Sequence, residues 1–331
     1  MKLPAADPFR ESSGRCIRRK LRLLGAEFHF SADDRRLHGL VDAAFARLPP
    51  LCFATPPVRL EVHLRLQPGG IARGEPPMAR YSSGAGLLCA TVDAGNFAIV
   101  DAAGKRAFLA ISEGMLESVY HARYELLEFA AMTLAARTQD LVALHGACVA
   151  RRGHGVLLLG GSGAGKSTLC LHSLLQGFEL VSEDSVFLQP STLRAAGLAN
   201  FLHLRPEALR LLRTAPLAAP LRASPTIRRR SGVRKLEFDV RDSPLRPARR
   251  TPHISAAVFV SALRGRDGAE LHRLAAASCA ARLARDQPYA AERNGWRKFV
   301  GAVRGRCYEL RRGAHPRDSV RLLAALLDGE T

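Results

Sequence analysis

Residues 155–168 read Gly-Val-Leu-Leu-Leu-Gly-Gly-Ser-Gly-Ala-Gly-Lys-Ser-Thr, and the rest of the fold must accommodate this stretch. Its four apolar residues, 156–159, predict a buried strand, and the apolar periodicity that follows the stretch predicts a helix. The spacing G-x-x-x-x-G-K-[ST] of a phosphate-binding loop lies between the two, on Gly160, Gly165, Lys166 and Ser167. The sequence therefore predicts a strand, a phosphate-binding loop and a helix in the order that such a site requires.

The glycines of this loop have a physical purpose. Without a Cβ, the backbone can turn successive N–H groups toward one point, where they bind an anion, and the N-terminus of the following helix adds positive charge there. Lys166 would reach the β- and γ-phosphates, and the Ser167 hydroxyl would bind Mg²⁺. We therefore expect ATP and Mg²⁺ as ligands, with the nucleotide held by Gly160, Gly161, Ser162, Gly163, Ala164, Gly165, Lys166, Ser167 and Thr168.

The protein has a large excess of positive charge. Its 331 residues include 49 Lys and Arg against 30 Asp and Glu, which gives a formal net charge of +19. Such a surplus attracts nucleotides, nucleic acids, membrane headgroups or acidic proteins, or it is spread over solvated faces without a partner. No basic run carries the interleaved aromatic residues of a nucleic-acid reader, so we do not expect nucleic acid as a partner.

Cysteine usage and hydropathy bear on the compartment. The seven cysteines are scattered and none forms a C-x-x-C pair, so the sequence predicts neither a zinc site nor a disulfide framework. Residues 1–20 are polar and basic, unlike a secretory signal, and no apolar run approaches the roughly 20 residues of a membrane span. These features predict a cytoplasmic protein without a membrane partner. They leave the oligomeric state open, a homo-oligomer included.

The length suggests about two domains, and the first, residues 1–115, is predicted to be a small α+β domain of unassigned role. Its clearest strand, 58–66, alternates apolar and polar residues, which favours an antiparallel sheet with one face in water. A helical pattern over 117–137 predicts a bridge, residues 116–140, into the second domain, 141–331. The other predicted elements are a helix over 33–48, strands over 27–31, 87–92, 97–101 and 107–111, and irregular segments over 1–23 and 68–84.

The segment before the glycine-rich loop predicts a mixed sheet. Residues 141–149 predict a strand, and residues 151–154 a turn into the strand of the loop, so that the two strands form a hairpin. A usual nucleotide-binding fold begins directly with the parallel strand of the loop. We therefore expect an α/β fold whose sheet contains both parallel and antiparallel pairs.

An acidic pair follows the next predicted strand. Residues 178–182 form that strand, and Glu183 and Asp184 come at its carboxyl end, where a metal-binding or base carboxylate is expected. Adjacent side chains of an extended chain point to opposite faces, so one acid can approach the phosphates while the other turns elsewhere. Either residue can accept the proton of an attacking hydroxyl, and Asp184 is our predicted partner of Ser167 in metal binding.

Three consecutive segments together resemble HPr kinase/phosphorylase and its relatives. They are Leu-His-Gly-Ala-Cys-Val at 144–149, the loop at 155–168, and Gly-Phe-Glu-Leu-Val-Ser-Glu-Asp at 177–184, and the resemblance covers about residues 141–189. It implies a fold related to phosphoenolpyruvate carboxykinase and an ATP-dependent kinase that phosphorylates a serine of a protein or peptide. By the same resemblance, His145 corresponds to a histidine near the phosphates, Lys166 and Ser167 to the loop lysine and metal-binding hydroxyl, and Glu183 and Asp184 to the pair that contains the catalytic base.

This chain departs from that family at three points. The first acid of the pair is a glutamate, which leaves open whether Glu183 or Asp184 is the base. The glycine-rich segment that follows the acids in the family is not recognisable, and the N-terminal domain is not visibly that of the bifunctional enzyme, so an acceptor other than HPr is expected. An ATP-binding regulatory or assembly module, or an ATPase without a phosphoacceptor, is the alternative function.

A basic segment in the C-terminal part is a second candidate for phosphate or substrate binding. Residues 228–235 contain five arginines or lysines in eight positions and lead into an alternating strand at 236–240. Guanidinium groups suit phosphate oxygens, and Arg234 and Lys235, next to the strand, are the predicted contacts. A solvated basic loop is the alternative interpretation.

Overall fold

The computed structural model of the protein describes residues 16–53, 56–70, 74–212 and 217–329. Within these ranges, seven strands form a first mixed sheet in the order β1-β2-β3-β7-β6-β5-β4. They are β1 (Ile17–Leu23), β2 (Ala26–Ala32), β3 (Arg59–Gln67), β4 (Arg80–Gly84), β5 (Leu87–Asp93), β6 (Asn96–Asp101) and β7 (Arg106–Ser112).

Strand β3 shows the predicted alternation but not the predicted pairing. Leu60, Val62 and Leu64 are buried, and the residues between them are at least partly exposed. The antiparallel prediction is wrong, because β3 runs parallel to both β2 and β7. The alternation of apolar and polar residues along a strand shows only that one of its faces is buried. The direction follows from helix α1 (Arg35–Phe45), which crosses over between β2 and β3 and so makes them parallel.

A long helical segment covers the same face of the first sheet. It consists of α2 (Glu113–Glu117), α3 (Val119–His121), a π-helical segment (Ala122–Glu128) and α4 (Phe129–Thr138). Apolar residues of α1, of the π-helical segment and of α4 share one buried core with the sheet. The helix predicted as a bridge over 116–140 therefore packs on the first sheet. Its π-helical part also carries buried charged groups, which contribute to the site described below.

The remaining strands form two further sheets. In the described residues, the second sheet has ten strands, with the main order β17-β11-β9-β10-β18-β13-β12-β8 and with β20 and β19 attached beyond β18. The third has the order β14-β16-β15. The strands are β8 (Val142–His145), β9 (Ala147–Arg151), β10 (His154–Leu159), β11 (Glu179–Ser182), β12 (Ser185–Gln189), β13 (Arg194–Gly197), β14 (Phe201–Leu204), β15 (Thr226–Arg228), β16 (Arg234–Asp239), β17 (Arg246–Pro247), β18 (His253–Arg264), β19 (Glu270–Arg273) and β20 (Cys307–Arg312).

Helices lie on both faces of the second sheet. Helices α5 and α10 share one buried core with it, and α7 and α9 share another, so the protein has a mixed α/β architecture. Short 3₁₀ segments occur at Pro206–Leu212, Val240–Asp242 and Arg304–Arg306. The helices of this part are α5 (Lys166–Leu175), α6 (Ala218–Arg222), α7 (Ala276–Asp286), α8 (Pro288–Ala291), α9 (Trp296–Val303) and α10 (Pro316–Asp328).

The strand directions bring the acidic pair to the glycine-rich loop. Strands β9 and β10 form the predicted antiparallel hairpin, and β10 runs parallel to β18, so the sheet is mixed as expected. Strand β11 is antiparallel to β9 on its other side. It follows that β10 and β11, which have β9 between them, run in the same direction, and that their carboxyl ends lie at the same edge of the sheet.

Several local predictions are corrected by the structure. Of the segment expected to be irregular over 1–23, residues 1–15 lie outside the described residues and 17–23 form β1. The loop predicted over 68–84 contains β4, and the strand predicted over 141–149 is divided at Gly146. A Cβ at Gly146 would lie 2.8 Å from the Leu158 carbonyl oxygen, so the close approach of the neighbouring backbone requires glycine there.

Two further findings concern the predicted compartment. Cys279 on α7 and Cys307 on β20 form a disulfide with their Cα atoms 6.0 Å apart, so the prediction of no disulfide is wrong for this pair. The two cysteines are 28 residues apart in sequence, and only the packing of α7 on β20 brings them together. Among the described residues, no helix is long and apolar enough to cross a membrane.

Candidate functional site

The glycine-rich loop leaves β10 and turns into α5 with backbone angles that require glycine. Gly160 has φ +133°, and a Cβ there would lie 2.7 Å from the Val260 carbonyl oxygen. Gly165 has φ +102° and forms the N-cap of α5. The N–H groups of the first residues of α5 have no acceptor in the preceding turn of helix, so they remain available to an anion.

Lys166 is folded onto its own loop. Its Nζ donates hydrogen bonds to the carbonyl oxygens of Gly160, at 2.7 Å, and Gly161, at 3.2 Å. Burial lowers the pKa of Lys166, and the carboxylates of Asp184 and Glu183 oppose this effect. The ammonium group therefore lies within the glycine-rich loop, held by two main-chain carbonyl oxygens.

The hydroxyl of Ser167 and the carboxylate of Glu183 are in direct contact. Ser167 Oγ donates a hydrogen bond to Glu183 Oε1, and Glu183 is only 4 % exposed. This contact follows from the common edge on which β10 and β11 end. From the sequence, Ser167 and Asp184 are predicted to bind the metal together. In the structure, the carboxylate in contact with the Ser167 hydroxyl is that of Glu183.

Glu183 is also the first member of a buried chain of charged groups. His203, at the end of β14, has its Nδ1 3.4 Å from Glu183 Oε2 and its Nε2 2.9 Å from Glu237 Oε2. Arg123 of the π-helical segment donates to Glu237 and, at 2.9 Å, to Glu128. This series of charged side chains thus connects the glycine-rich loop with the helical segment that covers the first sheet.

This environment stabilises the charged form of His203. Burial by itself lowers the pKa of His203, but hydrogen bonds to Glu183 and Glu237 outweigh that effect and raise the pKa. The same contacts restrict the Glu183 carboxylate to one orientation. We therefore describe His203 and Glu237 as a support that holds Glu183 beside Ser167.

Asp184 lies in a separate cluster. Its Oδ1 is 3.4 Å from His145 Nδ1, and its Oδ2 is 3.5 Å from Arg229 Nη2 and accepts a hydrogen bond from the Tyr124 hydroxyl at 3.4 Å. Burial disfavours ionisation of Asp184, but the positive charges of Arg229, His145, His203 and Lys235 outweigh burial and lower its pKa. Asp184 is therefore an ionised acceptor at neutral pH.

One open cleft of about 620 Å³ joins the glycine-rich loop and both acids with His145, His203, Tyr124 and Arg229. The glycine-rich loop and the start of α5 form one wall, and the two acids, His145 and His203 form another. The third sheet supplies the basic wall. Every catalytic candidate predicted from sequence therefore lines the same cleft: His145, Lys166, Glu183 and Asp184.

The basic segment contributes to the cleft through one of its two predicted residues and through one that was not predicted. Lys235 lines the cleft, but Arg234 is exposed and is not among the lining residues. Arg229 instead reaches Asp184, with its guanidinium 4.9 Å from the centre of the Tyr124 ring. Its neighbour Arg230 is tied to Glu125 and to the carbonyl oxygens of Pro76 and Pro77.

Sequence reasoning missed five residues of the site: Tyr124, Arg123, His203, Arg229 and Glu237. None of them belongs to a motif with fixed spacing, and they come from three separate segments of the chain. Two signals were available. The basic segment 228–235 contains Arg229, and the apolar pattern of 117–137 contains charged residues, Arg123 and Glu128 among them, at positions that are seldom charged unless they are paired.

The oxygen atoms at the loop suit a hard divalent cation. Among the described residues there is no cluster of three or more His, Cys, Asp or Glu side chains that would hold a metal ion alone. The hydroxyl of Ser167 and the carboxylate of Glu183 supply two oxygen donors that already touch. Mg²⁺ is typically bound by one or two carboxylates together with phosphate oxygens and water, so this donor set fits Mg²⁺ that arrives with a nucleotide.

Comparisons with known proteins add little. No protein-family profile matches the chain, and no curated protein matches it. A solved structure, the HPr(Ser) kinase/phosphatase from Coxiella burnetii, is similar at 16 % sequence identity over 35 % of this chain and 63 % of that chain, with a TM-score of 0.19. This chain therefore spans less than two thirds of that protein's length.

Proposed function

We propose that the protein is an ATP-dependent phosphotransferase that moves the γ-phosphoryl group of ATP to a hydroxyl, a serine of a protein or peptide. One observation carries the proposal: the glycine-rich loop with Lys166, the Ser167–Glu183 pair and the His145–Asp184 pair open into a single cleft. A phosphate-binding loop alone would support nucleotide binding only. The second carboxylate, half-buried and ionised, supports an acceptor whose proton must be removed.

Different groups of the protein bind the phosphates and accept the proton of the acceptor. The loop N–H groups and Lys166 bind the β- and γ-phosphates and stabilise the charge that develops during transfer. Asp184 accepts the proton of the acceptor hydroxyl as that oxygen bonds to the γ-phosphorus and the bond from this phosphorus to the β,γ-bridging oxygen breaks. ADP leaves with the electron pair of that bond, and the products are ADP and a phosphate monoester.

Ser167 and Glu183 would hold Mg²⁺, which neutralises phosphate charge when it is bound. His203 and Glu237 position Glu183 for this role. His145, whose side chain is 61 % exposed and 3.4 Å from Asp184, orients the base carboxylate and faces the incoming acceptor. This division assigns the metal to Glu183 and the base to Asp184, and so proposes an answer to the question that the sequence left open.

The proposal is tested with γ-labelled ATP, Mg²⁺ and a degenerate library of serine-centred peptides, with intact-mass detection of the phosphopeptides. Lys166→Ala should abolish transfer and weaken nucleotide binding. Asp184→Asn should lower transfer by roughly 10²- to 10⁴-fold while it retains most of the nucleotide affinity. Lys298→Ala and Asp242→Asn, which make the same changes at exposed positions outside the cleft, serve as controls.

Two results would contradict the proposal in different ways. Transfer by Asp184→Asn at the wild-type rate would exclude the base role of this residue. Release of labelled phosphate to water, with no peptide labelled, would instead support the alternative, an ATPase or an ATP-binding regulatory module.

A further inference from the structure

A second cavity of about 520 Å³ adjoins the cleft and shares two of its walls, His145 and Ser185. Its floor is the face of β8 and β12 that carries Ala143 and Phe187, which lie opposite each other in the sheet register. Helix α4 forms one side through Met132 and Ala136, and α8 with Tyr289 forms the other. We call this cavity the acceptor groove, because it ends at the His145–Asp184 pair.

The lining of the acceptor groove is mainly apolar and ends in a large exposed aromatic residue. Tyr289 is 89 % exposed at its rim. An exposed aromatic side chain beside an apolar groove is typical of a binding surface for another chain. Because the groove is continuous with the cleft, any molecule bound along it has one end at the proposed catalytic base. The bound chain is therefore a candidate phosphoacceptor.

The edge of the second sheet borders the acceptor groove beside α8. Strand β8 is the last in the sheet order and is antiparallel to β12. Both main-chain groups of His145 bond the Gln287 side chain rather than β12, and such groups alternate in direction along an antiparallel strand, so those of Ala143 also point away from the sheet. At His145 both groups are already satisfied: the Gln287 side chain accepts from its N–H at 2.8 Å and donates to its carbonyl at 2.9 Å. Ala143 leaves one N–H and one carbonyl at the sheet edge for an added strand.

The charges at the groove favour an acidic occupant. Arg137 and Arg293 line it, and within the part of the chain that the structure describes neither forms an ion pair. The acid of the lining, Asp286, is already paired with Arg285 at 2.8 Å. The groove therefore presents two uncompensated positive charges beside an apolar floor and a free strand edge.

We propose that the acceptor groove binds the phosphoacceptor as an extended peptide segment that adds to the edge of β8 at Ala143. The segment places apolar side chains over the floor and acidic side chains near Arg137 and Arg293. The Gln287 amide ends the pairing at His145, and the chain turns there into the cleft, with the acceptor hydroxyl beside Asp184. This proposal rests on the proposed function and adds the acceptor's conformation and charge.

The test compares two serine-centred peptide libraries, one with Asp and Glu in the flanking positions and one with Lys and Arg. The wild type should phosphorylate the acidic library with the higher kcat/KM. The double variant Arg137→Glu/Arg293→Glu should shift the ratio of the two kcat/KM values toward the basic library by roughly tenfold. The same reversal at Arg35, an exposed arginine on α1 outside the groove, should leave the ratio as in the wild type.

A second pair of variants tests the strand edge. Ala143→Pro removes the outward N–H at a position where an edge strand tolerates proline, and should raise the peptide KM roughly two- to tenfold. Ala143→Ser keeps the N–H and should retain the wild-type KM. Affinity for a fluorescent ATP analogue, measured on every variant, identifies any loss that comes from the fold or the nucleotide site.

The outcomes separate the two proposals. Peptide phosphorylation whose charge preference survives the double reversal, and whose KM is unchanged in Ala143→Pro, would overturn the acceptor groove and leave the kinase activity standing. If neither library is phosphorylated although the wild type binds the ATP analogue, the peptide kinase proposal fails, and the groove proposal fails with it.

Discussion

The hydroxyl of Ser167 donates a hydrogen bond to Glu183, which lies 16 residues later in the sequence and follows a strand, β11, that is separated from β10 by β9 alone. The contact joins the last residue of the G-x-x-x-x-G-K-[ST] motif to the acid that follows β11. It places a hydroxyl and a carboxylate together at the start of α5, while Asp184 lies near His145 and Arg229. The two adjacent acids therefore have different partners, and we expect different effects when each is changed.

Glu183→Gln should lower the Mg²⁺-dependent part of ATP affinity. The substitution preserves size and removes the negative charge that, with Ser167, would bind the cation, so we expect a loss of about tenfold to a hundredfold in the presence of Mg²⁺. Titrations of a fluorescent ATP analogue with Mg²⁺ and with EDTA measure this part directly. Glu179→Gln, on the same strand, is the control. An equal loss of affinity in EDTA would argue against a metal role.

Arg229→Gln should move the acid limb of the pH–rate profile to higher pH. Burial raises and Arg229 lowers the pKa of Asp184, so loss of the guanidinium raises that pKa, and less of the base is ionised at low pH. The rate deficit should therefore be largest at acid pH and shrink as the pH rises. The kcat/KM of the variant is followed from pH 5 to 9, with Arg228→Gln, at the exposed neighbouring position, as the control. A deficit that is the same at every pH would contradict this effect on Asp184.

Arg123→Met should destabilise the fold strongly. Arg123 is 2 % exposed, donates to Glu128 and Glu237, and lies 4.0 Å from the centre of the Phe201 ring. Its removal leaves the buried Glu128 carboxylate without its cation and leaves Glu237 with His203 alone, which costs about 3 to 5 kcal/mol in the free energy of unfolding. Denaturant unfolding measures the change.

The triple variant Arg123→Met/Glu128→Gln/Glu237→Gln is the matched control for this prediction. It removes the whole charge group rather than one partner, so it should recover much of the lost stability. A triple variant that is less stable than Arg123→Met would show that the buried charges are not the cause.

His203→Gln should change stability in a pH-dependent way. Hydrogen bonds to Glu183 and Glu237 raise the pKa of His203 against the effect of burial, so the folded state binds the proton more tightly than the unfolded state. Its stabilisation, roughly 1 to 3 kcal/mol, is fully present below the unfolded pKa of about 6.5 and is lost as the pH rises through the folded value. The difference in unfolding free energy between wild type and variant should shrink from pH 6 to pH 9. His272→Gln, at an exposed position on β19, is the control, and a difference that grows with pH would reverse the proposed sign.

Much of the candidate site was predictable because its parts are local. The spacing from Gly160 to Ser167 specifies a loop geometry that a few adjacent residues enforce, and the acids at 183 and 184 follow a strand whose apolar run is evident. The direction of β3 was not predictable, because alternation reports a covered face and carries no information about neighbouring strands. Arg229 was missed in favour of Arg234 and Lys235, because which arginine of a basic run turns inward depends on what packs against it.

The sequence by itself determined the glycine-rich loop, the helix that begins at Lys166, and the two acids that follow the next strand, since each depends on residues within one turn or one strand. Only the tertiary structure decided that Ser167 meets Glu183, that Asp184 meets Tyr124 and Arg229, and that an apolar groove leads to this pair. These contacts join segments far apart in the chain, and their geometry comes from the order and direction of strands, which no short stretch of residues encodes.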